Sequence, residues 1–415
     1  MTKSANLLEV ISMCLLPKLS KNVDISENHV EYKIREDTLT SQFNVIMQLL
    51  NDMNNSEMTP DILSRLLILN LELQSVGPWF SEICKKCTEK LNKDFEGSYG
   101  YKLDNLLWHG DAVNSQKIFD KCLEDLHQKL TFEDFKKYPA LHDVYYSIIQ
   151  HIAEYKVDIN PLKTIPISLL LIDDYILSNK IKGLKSCLII MKCLTTESFQ
   201  DGNYYEVIYG TLKKSTLDKD IDVTRLTLEC LLQLLKIIPP GVQAKKTDDI
   251  FKRGLDQLYT EANLYRKAAL FSFTTNLIEM QGVDCVNKKL LKSILCDNID
   301  ICCNDAVGEI LLSDVLKCLE VWIKYCWCIW RLPSDQKFLS TLLKLLYVSC
   351  QDEEKAARIQ ILIITLITLC TKEEQNALYK NIEESTVHIN RPEFVNTLEV
   401  IKKKYSCIIN LLKIS

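Results

Sequence analysis

The feature that most constrains the fold is a helical hairpin predicted between residues 161 and 194. Its first helix is apolar and begins at Pro161, since proline fits the first helical turn without losing a hydrogen bond. The acidic turn Asp173-Asp174 follows, and apolar residues then recur with the helical period from Ile181 to Leu194. One face of the second helix must therefore be buried. An isolated hairpin cannot bury that face, so it needs further copies.

Such copies are marked by an acidic residue five or six positions before a basic one. Lys180, Arg225 and Arg266 are 45 and 41 residues apart, and Arg358 follows 92 residues later, which is twice 46. One further copy is expected near residue 311, where two leucines replace the basic residue. We expect the acidic side chain to accept from the N–H groups that open a helix, and the basic one to pair with it or its neighbour. The pairs are Asp174 with Lys180, Asp220 with Arg225, Glu261 with Arg266, and Asp352 with Arg358.

A two-helix period of this length is typical of HEAT and armadillo repeats. The sequence therefore predicts an all-α protein, a HEAT/armadillo-like α-solenoid of stacked helical hairpins whose apolar faces shelter one another. Glycine is scarce, with 11 residues where average usage would give roughly 29. Glycines gather only at positions 97, 100 and 110, which suggests a boundary between a less regular helical region, 1–112, and the repeat array, 113–415.

Several helices can be placed from their starts and their apolar periods. We expect helices near 4–16, 39–54, 60–75 and 78–92, with residues 18–37 as a loose polar connector. The last helix, 392–413, should cap the array with an apolar face made of Phe394, Leu398, Ile401, Tyr405, Ile408 and Leu412.

Composition argues against several classes of partner. The formal net charge is −5 and no strong basic block occurs, whereas nucleic-acid binding needs clustered Lys and Arg. The apolar run 361–370 has ten residues, while a membrane crossing needs about 20. The 17 cysteines are odd in number and follow apolar helical faces, and no secretory signal is recognisable, so we expect reduced thiols and a cytoplasmic and nuclear protein.

Residues that could carry chemistry are few. Cys84 and Cys87 form a CxxC, but no second CxxC or suitably spaced histidine pair completes a zinc site. Asp173 and Asp174 are adjacent carboxylates that favour helix capping over acid–base work, because neighbouring helical residues point about 100° apart. No glycine-rich phosphate loop, GxSxG or HExxH occurs. We expect no catalytic residue, no cofactor and no metal.

Three of the five tryptophans fall within residues 321–333. On a continuous helix Trp330 lies roughly 80° and Trp327 roughly 140° from Trp322, so one face cannot bury all three. The excess ring surface must meet either a neighbouring repeat or a partner, since tryptophan is enriched in both settings. Trp327 and Trp330 are therefore candidate partner-binding residues.

The central hairpin also resembles a known family. Its residues, together with FKKYPALHDVYYSI at 135–148, resemble the core signature of the TELO-two-interacting protein two family, a subunit of the TTT complex. The likeness extends from about residue 130 to about residue 370 in helix order and apolar pattern. The matching positions are Ile165, Pro166, Leu169, Asp173, Asp174, Tyr175, Asn179, Lys180, Gly183, Cys187 and Leu188.

The resemblance implies a non-catalytic scaffold that joins two further TTT subunits. Such a complex acts as a cochaperone that, with heat-shock protein 90 and an adaptor ATPase complex, matures and stabilises phosphatidylinositol-3-kinase-related kinases. It also implies a structural role for the motif residues. Two alternatives stay open: another helical-repeat adaptor, such as a transport or phosphatase-regulatory scaffold, and an all-helical enzyme that uses Asp173 and Asp174.

Overall fold

A computed structural model describes residues 3–21, 29–54, 57–110, 114–199, 202–386, 389 and 391–412. Within these ranges every regular element is a helix, and no β-strand occurs. The prediction of an all-α protein is confirmed. None of the helices in these ranges combines the length and the apolar character that a membrane crossing requires.

The chain divides into two compact units, Met1–Pro239 and Pro240–Ser415, called here the N-terminal and C-terminal units. Short 3₁₀ turns in the N-terminal unit cover Leu103–Trp108, Phe135–Lys137 and Thr196–Phe199. Its α-helices are α1 (Lys3–Cys14), α2 (Val30–Asn51), α3 (Pro60–Gln74), α4 (Glu82–Tyr99), α5 (Ser115–Lys129), α6 (Pro139–Ile149), α7 (Pro161–Ile172), α8 (Leu177–Lys192), α9 (Tyr204–Ser215) and α10 (Ile221–Ile237).

The C-terminal unit continues the helical pattern. Its 3₁₀ turns cover Gly282–Asn287 and Trp327–Ile329. Its shortest α-helix, α13, has 13 residues. The α-helices are α11 (Pro240–Thr260), α12 (Leu264–Gln281), α13 (Lys289–Ile301), α14 (Asp305–Cys326), α15 (Leu332–Ser349), α16 (Glu353–Thr368), α17 (Lys372–Thr386) and α18 (Pro392–Leu412).

Helical hairpins stack in two layers within each unit. In the N-terminal unit α7 contacts α5 and α9 in one layer, while α8 contacts α6 and α10 in the other, and α7 packs on α8. In the C-terminal unit α13 contacts α11 and α15, and α14 contacts α12 and α16. Each hairpin thus meets its sequence neighbours, which is the HEAT/armadillo-like α-solenoid arrangement that the period predicts.

Helix capping follows the predicted pattern in part. Asp220 accepts from the backbone N–H groups of Asp222 and Val223 at the start of α10, and Asp352 accepts from that of Lys355 in α16. Glu261 does not cap α12, whose N-cap is Asn263, but it pairs with Arg266 at 2.6 Å as expected. The expected copy near residue 311 is present as α14, where Asn304 caps the helix.

Two of the four predicted basic residues reach further than one turn. Lys180 pairs with Asp218 and Arg358 with Glu320, so neither pairs with the acidic residue of its own turn. These pairs belong to a series that joins residues 37 to 44 positions apart, which is about one repeat. The series includes Asp143–Lys182, Asp173–Lys214, Lys180–Asp218, Lys192–Glu229, Asp248–Lys288, Lys292–Asp335, Asp297–Lys337, Asp300–Lys344 and Glu320–Arg358.

Some sequence-based boundaries were wrong. Helix α2 begins at Val30, so the C-terminal part of the expected connector 18–37 is helical. Helix α4 begins at Glu82 instead of Pro78, because Ser81 supplies the N-cap and accepts from the N–H of Cys84. The suggested boundary between residues 112 and 113 falls outside the described residues and stays a prediction, whereas the division at Pro239 was not predicted.

The last helix, α18, follows the expected register where its side chains are described. Phe394, Leu398 and Ile401 are buried, and Phe394 packs edge-on against Tyr347 of α15. The side chains of Tyr405, Ile408 and Leu412, the rest of the predicted apolar face, lie outside the described residues.

Candidate protein-binding groove

An apolar groove of about 750 Å³ runs along α7 in the N-terminal unit, and we call it the α7 groove. Three of its apolar residues are exposed: Phe132 is 83% exposed, Val207 61% and Leu162 48%. A contiguous apolar surface of this kind marks an interaction site more often than single exposed hydrophobic residues do. The lining residues are Phe132, Glu133, Phe135, Lys136, Pro161, Leu162, Ile165, Pro166, Leu169, Leu170, Asp173, Tyr204, Val207, Ile208 and Thr211.

The α7 groove has α7 as its floor, with segment 132–136 on one side and α9 on the other. The position of the segment is fixed at both ends of α7. His127, just before it, lies 2.5 Å from the carbonyl oxygen of Lys163, and Lys136 lies 3.8 Å from a carboxylate oxygen of Asp174. Segment 132–136 therefore runs alongside α7, from its first turn to its end.

The inner face of α7 is held by close packing. The hydroxyl of the buried Tyr145 donates to the carbonyl of Thr164 at 2.5 Å and lies 2.6 Å from the hydroxyl of Ser168, and burial raises the pKa of Tyr145. Gly183 of α8 packs so closely that a Cβ there would lie 2.7 Å from both the nitrogen of Ile172 and the carbonyl oxygen of Ser168. The motif glycine thus allows α7 and α8 to touch through their backbones.

The wall formed by segment 132–136 is anchored from beneath. The ring nitrogen Nε2 of His142 lies 2.9 Å from the carbonyl oxygen of Phe135, so Nε2 carries the hydrogen and donates. Burial lowers the pKa of His142 below its ordinary value. On the outer side, the ammonium of Lys136 lies 4.3 Å from the ring centre of Tyr175, a cation–π contact. Tyr175 therefore contacts the edge of the groove.

Pro166 lies inside α7 and faces the groove. Because proline has no backbone N–H, the carbonyl of Leu162 one turn earlier loses its α-helical donor. The next two carbonyls receive side-chain partners, His127 at Lys163 and Tyr145 at Thr164. No side chain in the described part of the chain donates to the carbonyl of Leu162. Leu162 and Pro166 both line the groove, so the carbonyl that has lost its α-helical donor lies between two groove-lining residues.

The two motif aspartates have separate partners. Asp173 lines the groove and pairs with Lys214 at the end of α9, at 3.0 Å. Asp174 is 2% exposed and accepts from the side chain of Asn179 at 2.8 Å. Asp174 does not cap α8, whose N-cap is Ile176 without a side-chain cap. Its carboxylate instead accepts from the backbone N–H of Tyr175 and from the side chain of Asn179 in α8. The carboxylates do not converge on a common point as an acid–base pair would.

The tryptophan segment is not a continuous helix. Helix α14 ends at Cys326, and a 3₁₀ turn covers Trp327–Ile329. Trp330 is 2% exposed and packs edge-on against Phe338, on which the fully buried Trp322 also stacks. Trp330 is thus a core residue, and the prediction that it binds a partner was wrong. Trp327 is 55% exposed, and its role stays a prediction.

The two cysteines of the CxxC lie in the protein interior as free thiols. Cys84 and Cys87 are both buried, and burial raises the pKa of Cys87 to about 11. The thiolate, which is the form that binds metals and attacks disulfides, is therefore disfavoured at Cys87. Within the described residues no group of three or more His, Cys, Asp or Glu side chains could hold a metal ion.

Sequence reasoning missed the groove residues Phe132, Leu162 and Val207. A signal was present in α9, where apolar residues occur beyond those that the core needs. Tyr205, Ile208, Tyr209 and Leu212 are the buried residues of this helix. Tyr204 and Val207 are further apolar residues, and they line the groove together with Ile208 and Thr211.

The fold and the groove together define the class of this protein, an all-helical repeat protein with an exposed apolar groove. No family model and no curated protein matches the chain. Among solved structures, it is similar to an engineered protein, with 12% identity, a TM-score of 0.45, and coverage of 88% of this chain and 94% of that one.

A chain from the structure of Kap95p with RanGDP is also similar. The identity is 14%, the TM-score 0.47, and the alignment covers 99% of this chain. It covers 60% of the Kap95p-complex chain, so the protein spans less than two thirds of that chain's length.

Proposed function

We propose that the protein is a non-catalytic scaffold that binds other proteins, and specifically a subunit of the TTT cochaperone complex. The observation that carries the scaffold role is the α7 groove, where apolar side chains from segment 132–136, α7 and α9 stay exposed to solvent. Burying such side chains is the main favourable term in protein association. Folding alone does not explain why Phe132, Leu162 and Val207 are exposed, whereas a binding role does.

The TTT assignment rests on the family resemblance of the central hairpin. Pro166 and Asp173 of that motif line the groove, and Tyr175 contacts Lys136 at its edge. In this role the chain would join the other two TTT subunits and would act with heat-shock protein 90 on phosphatidylinositol-3-kinase-related kinases. It would need no cofactor, and it would work in the cytoplasm and nucleus.

Affinity purification of the full chain from its own cells tests this proposal. The expected result is stoichiometric recovery of the other two TTT subunits, identified by mass spectrometry and co-eluting in size-exclusion chromatography. Recovery of neither subunit refutes the TTT assignment. Stoichiometric recovery of transport cargo or of a phosphatase catalytic subunit instead would assign the protein to the alternative class of helical-repeat adaptors.

A further inference from the structure

We infer that the α7 groove takes one kind of occupant, an amphipathic α-helix of a partner protein, and this inference rests on the proposed function. The helix would carry apolar residues at positions i, i+3, i+4 and i+7. It would also carry a basic residue toward Glu133 and a side-chain hydrogen-bond donor toward the carbonyl of Leu162.

The shape of the groove matches a helix. Lys214 at the end of α9 pairs with Asp173 after the end of α7, so the two helices run in the same direction. Both present groove side chains at helical spacing, which gives two ridges with a trough between them. A third helix packs its own ridge of side chains into such a trough. The 12 residues of α7 span roughly 18 Å, enough for about three turns of an occupant.

The charges of the groove define the polar edge of the occupant. Of the three charged lining residues, Lys136 is engaged by Asp174 and Tyr175, and Asp173 is engaged by Lys214. Glu133 has no ion pair within the described ranges. Its charge acts on Lys18, but that ammonium binds Asp134 at 2.6 Å. The unmatched negative charge at the rim therefore favours a Lys or Arg on the occupant, beside an otherwise apolar face.

The backbone acceptor at Leu162 adds a second polar requirement. When an apolar helix covers the groove, water leaves this carbonyl, and a buried carbonyl without a donor is costly. An occupant that supplies a side-chain N–H or O–H at this point avoids that cost. The acceptor exists because Pro166 removes the usual donor, so its contribution can be tested by substituting the proline.

A library of phage-displayed peptides, 20 residues long, provides a defined probe for the full chain. We expect the selected peptides to share the i, i+3, i+4, i+7 apolar pattern with one basic residue, and to become helical on binding, as seen by circular dichroism. Val207→Asp should weaken their binding at least about tenfold, because the carboxylate would be buried without a partner. Leu217→Asp is the matched control, since Leu217 is 64% exposed outside the groove, and its binding should stay within about twofold of wild type.

Two substitutions test the polar contacts. Glu133→Lys should weaken binding, and a peptide whose basic residue is changed to Glu should recover it. Pro166→Ala restores the N–H that α7 lacks, so it should stabilise the folded chain and yet weaken the peptide about threefold to tenfold, the typical worth of one hydrogen bond. A purely structural proline would leave the peptide affinity unchanged.

Other outcomes overturn the inference. Selected peptides without a helical period, or peptides that bind the Val207→Asp chain as tightly as wild type, exclude a helix in this groove. A wild-type dimer in sedimentation that Val207→Asp dissociates would make a second copy of the chain the occupant. These results are separable from the proposed function, because the wild-type co-purification uses none of these variants.

Discussion

At the scale of single residues, burial separates two tryptophans that the sequence could not distinguish. Three tryptophans within nine positions exceed what one helical face can bury, and the sequence left open which of them meets a partner. The answer depends on where α14 ends, because the 3₁₀ turn at 327–329 redirects the chain and brings Trp330 back against Phe338. Periodicity assumes a continuous helix, so it could not anticipate this turn.

Trp330→Ala should lower the free energy of unfolding by roughly 3–5 kcal/mol, because it removes a large buried ring and leaves a cavity. Trp327→Ala should change the same quantity by less than about 0.5 kcal/mol, because its ring is largely in solvent. Chemical denaturation of both variants, followed by circular dichroism, measures the difference. Equal effects of the two substitutions would contradict the burial that separates them.

His142 should make stability depend on pH. Burial lowers its pKa in the folded state below the ordinary value of 6.5, and this outweighs the hydrogen bond to Phe135 and the nearby Asp174 and Asp143, which act in the opposite direction. Lys182 adds to the lowering. As pH falls below 6.5, His142 becomes protonated in the unfolded chain while it stays neutral in the folded chain. The free energy of unfolding should therefore fall with pH in that range.

The measurement is a series of denaturation curves between pH 8 and pH 5 for the wild type and for His142→Gln. The difference in the free energy of unfolding between the two proteins at pH 8 measures the pH-independent cost of losing the hydrogen bond to Phe135. Below pH 6.5 the two curves should approach each other, because the variant has no imidazole to protonate. Parallel curves across the whole range would show that His142 does not contribute to the slope.

At the scale of helices, the sequence correctly predicted the starts of α3, α7 and α18, each at a proline. It failed at α2, whose first turns looked polar and without period. The reason is that the inner face of α2 buries charge: Arg35 lies 2.9 Å from Glu72 of α3, with both side chains 1% exposed. A pattern of apolar residues cannot reveal a buried ion pair, because the partner is 37 positions away and only the fold brings it near.

The contact between α7 and α8 makes a prediction at this scale. Gly183→Ala should lower the free energy of unfolding by roughly 1–3 kcal/mol, because the new methyl group would press on the backbone of α7 and overpack the contact. Gly210→Ala is the matched control, since it lies within α9 and a Cβ there meets nothing within 4 Å. It should raise stability by about 0.5–1 kcal/mol, the helical preference of alanine over glycine.

The denaturation midpoints of the two glycine variants, compared with that of the wild type, test this prediction. Opposite signs are expected, because the substitutions are chemically identical and differ only in the space available. A Gly183→Ala chain as stable as Gly210→Ala would mean that α7 and α8 can separate at little cost. In that case the floor of the groove would not depend on the motif glycine.

At the scale of the molecule, the repeat was the most predictable property. The spacing of basic residues gave a period of 41 to 46, and the ion pairs that join successive hairpins span 37 to 44 positions. The groove was less predictable. It requires apolar residues of segment 132–136, α7 and α9 to remain uncovered together, and the sequence marks which residues are apolar without marking which face a neighbour leaves open.

The ion pairs between hairpins should stabilise the fold more when they are more buried. Lys180–Asp218 and Lys192–Glu229 both join the α8 hairpin to the α10 hairpin, but their side chains are 20% and 23% exposed in the first pair and 55% and 53% in the second. Water and salt screen the exposed pair, while the partly buried pair keeps a charge-assisted hydrogen bond. Double-mutant cycles with Ala should give a coupling of about 1–1.5 kcal/mol for Lys180–Asp218 and about 0.5 kcal/mol or less for Lys192–Glu229.

Raising NaCl from 0.1 M to 1 M should reduce both couplings, with the larger fractional loss at Lys192–Glu229, because screening acts most strongly on charges in contact with solvent. Equal couplings for the two pairs would show that burial does not govern them. Since each pair contributes little beside the stacked apolar faces, all single-charge variants should keep the helical content of the wild type, and circular dichroism serves as the control that the helices remain formed.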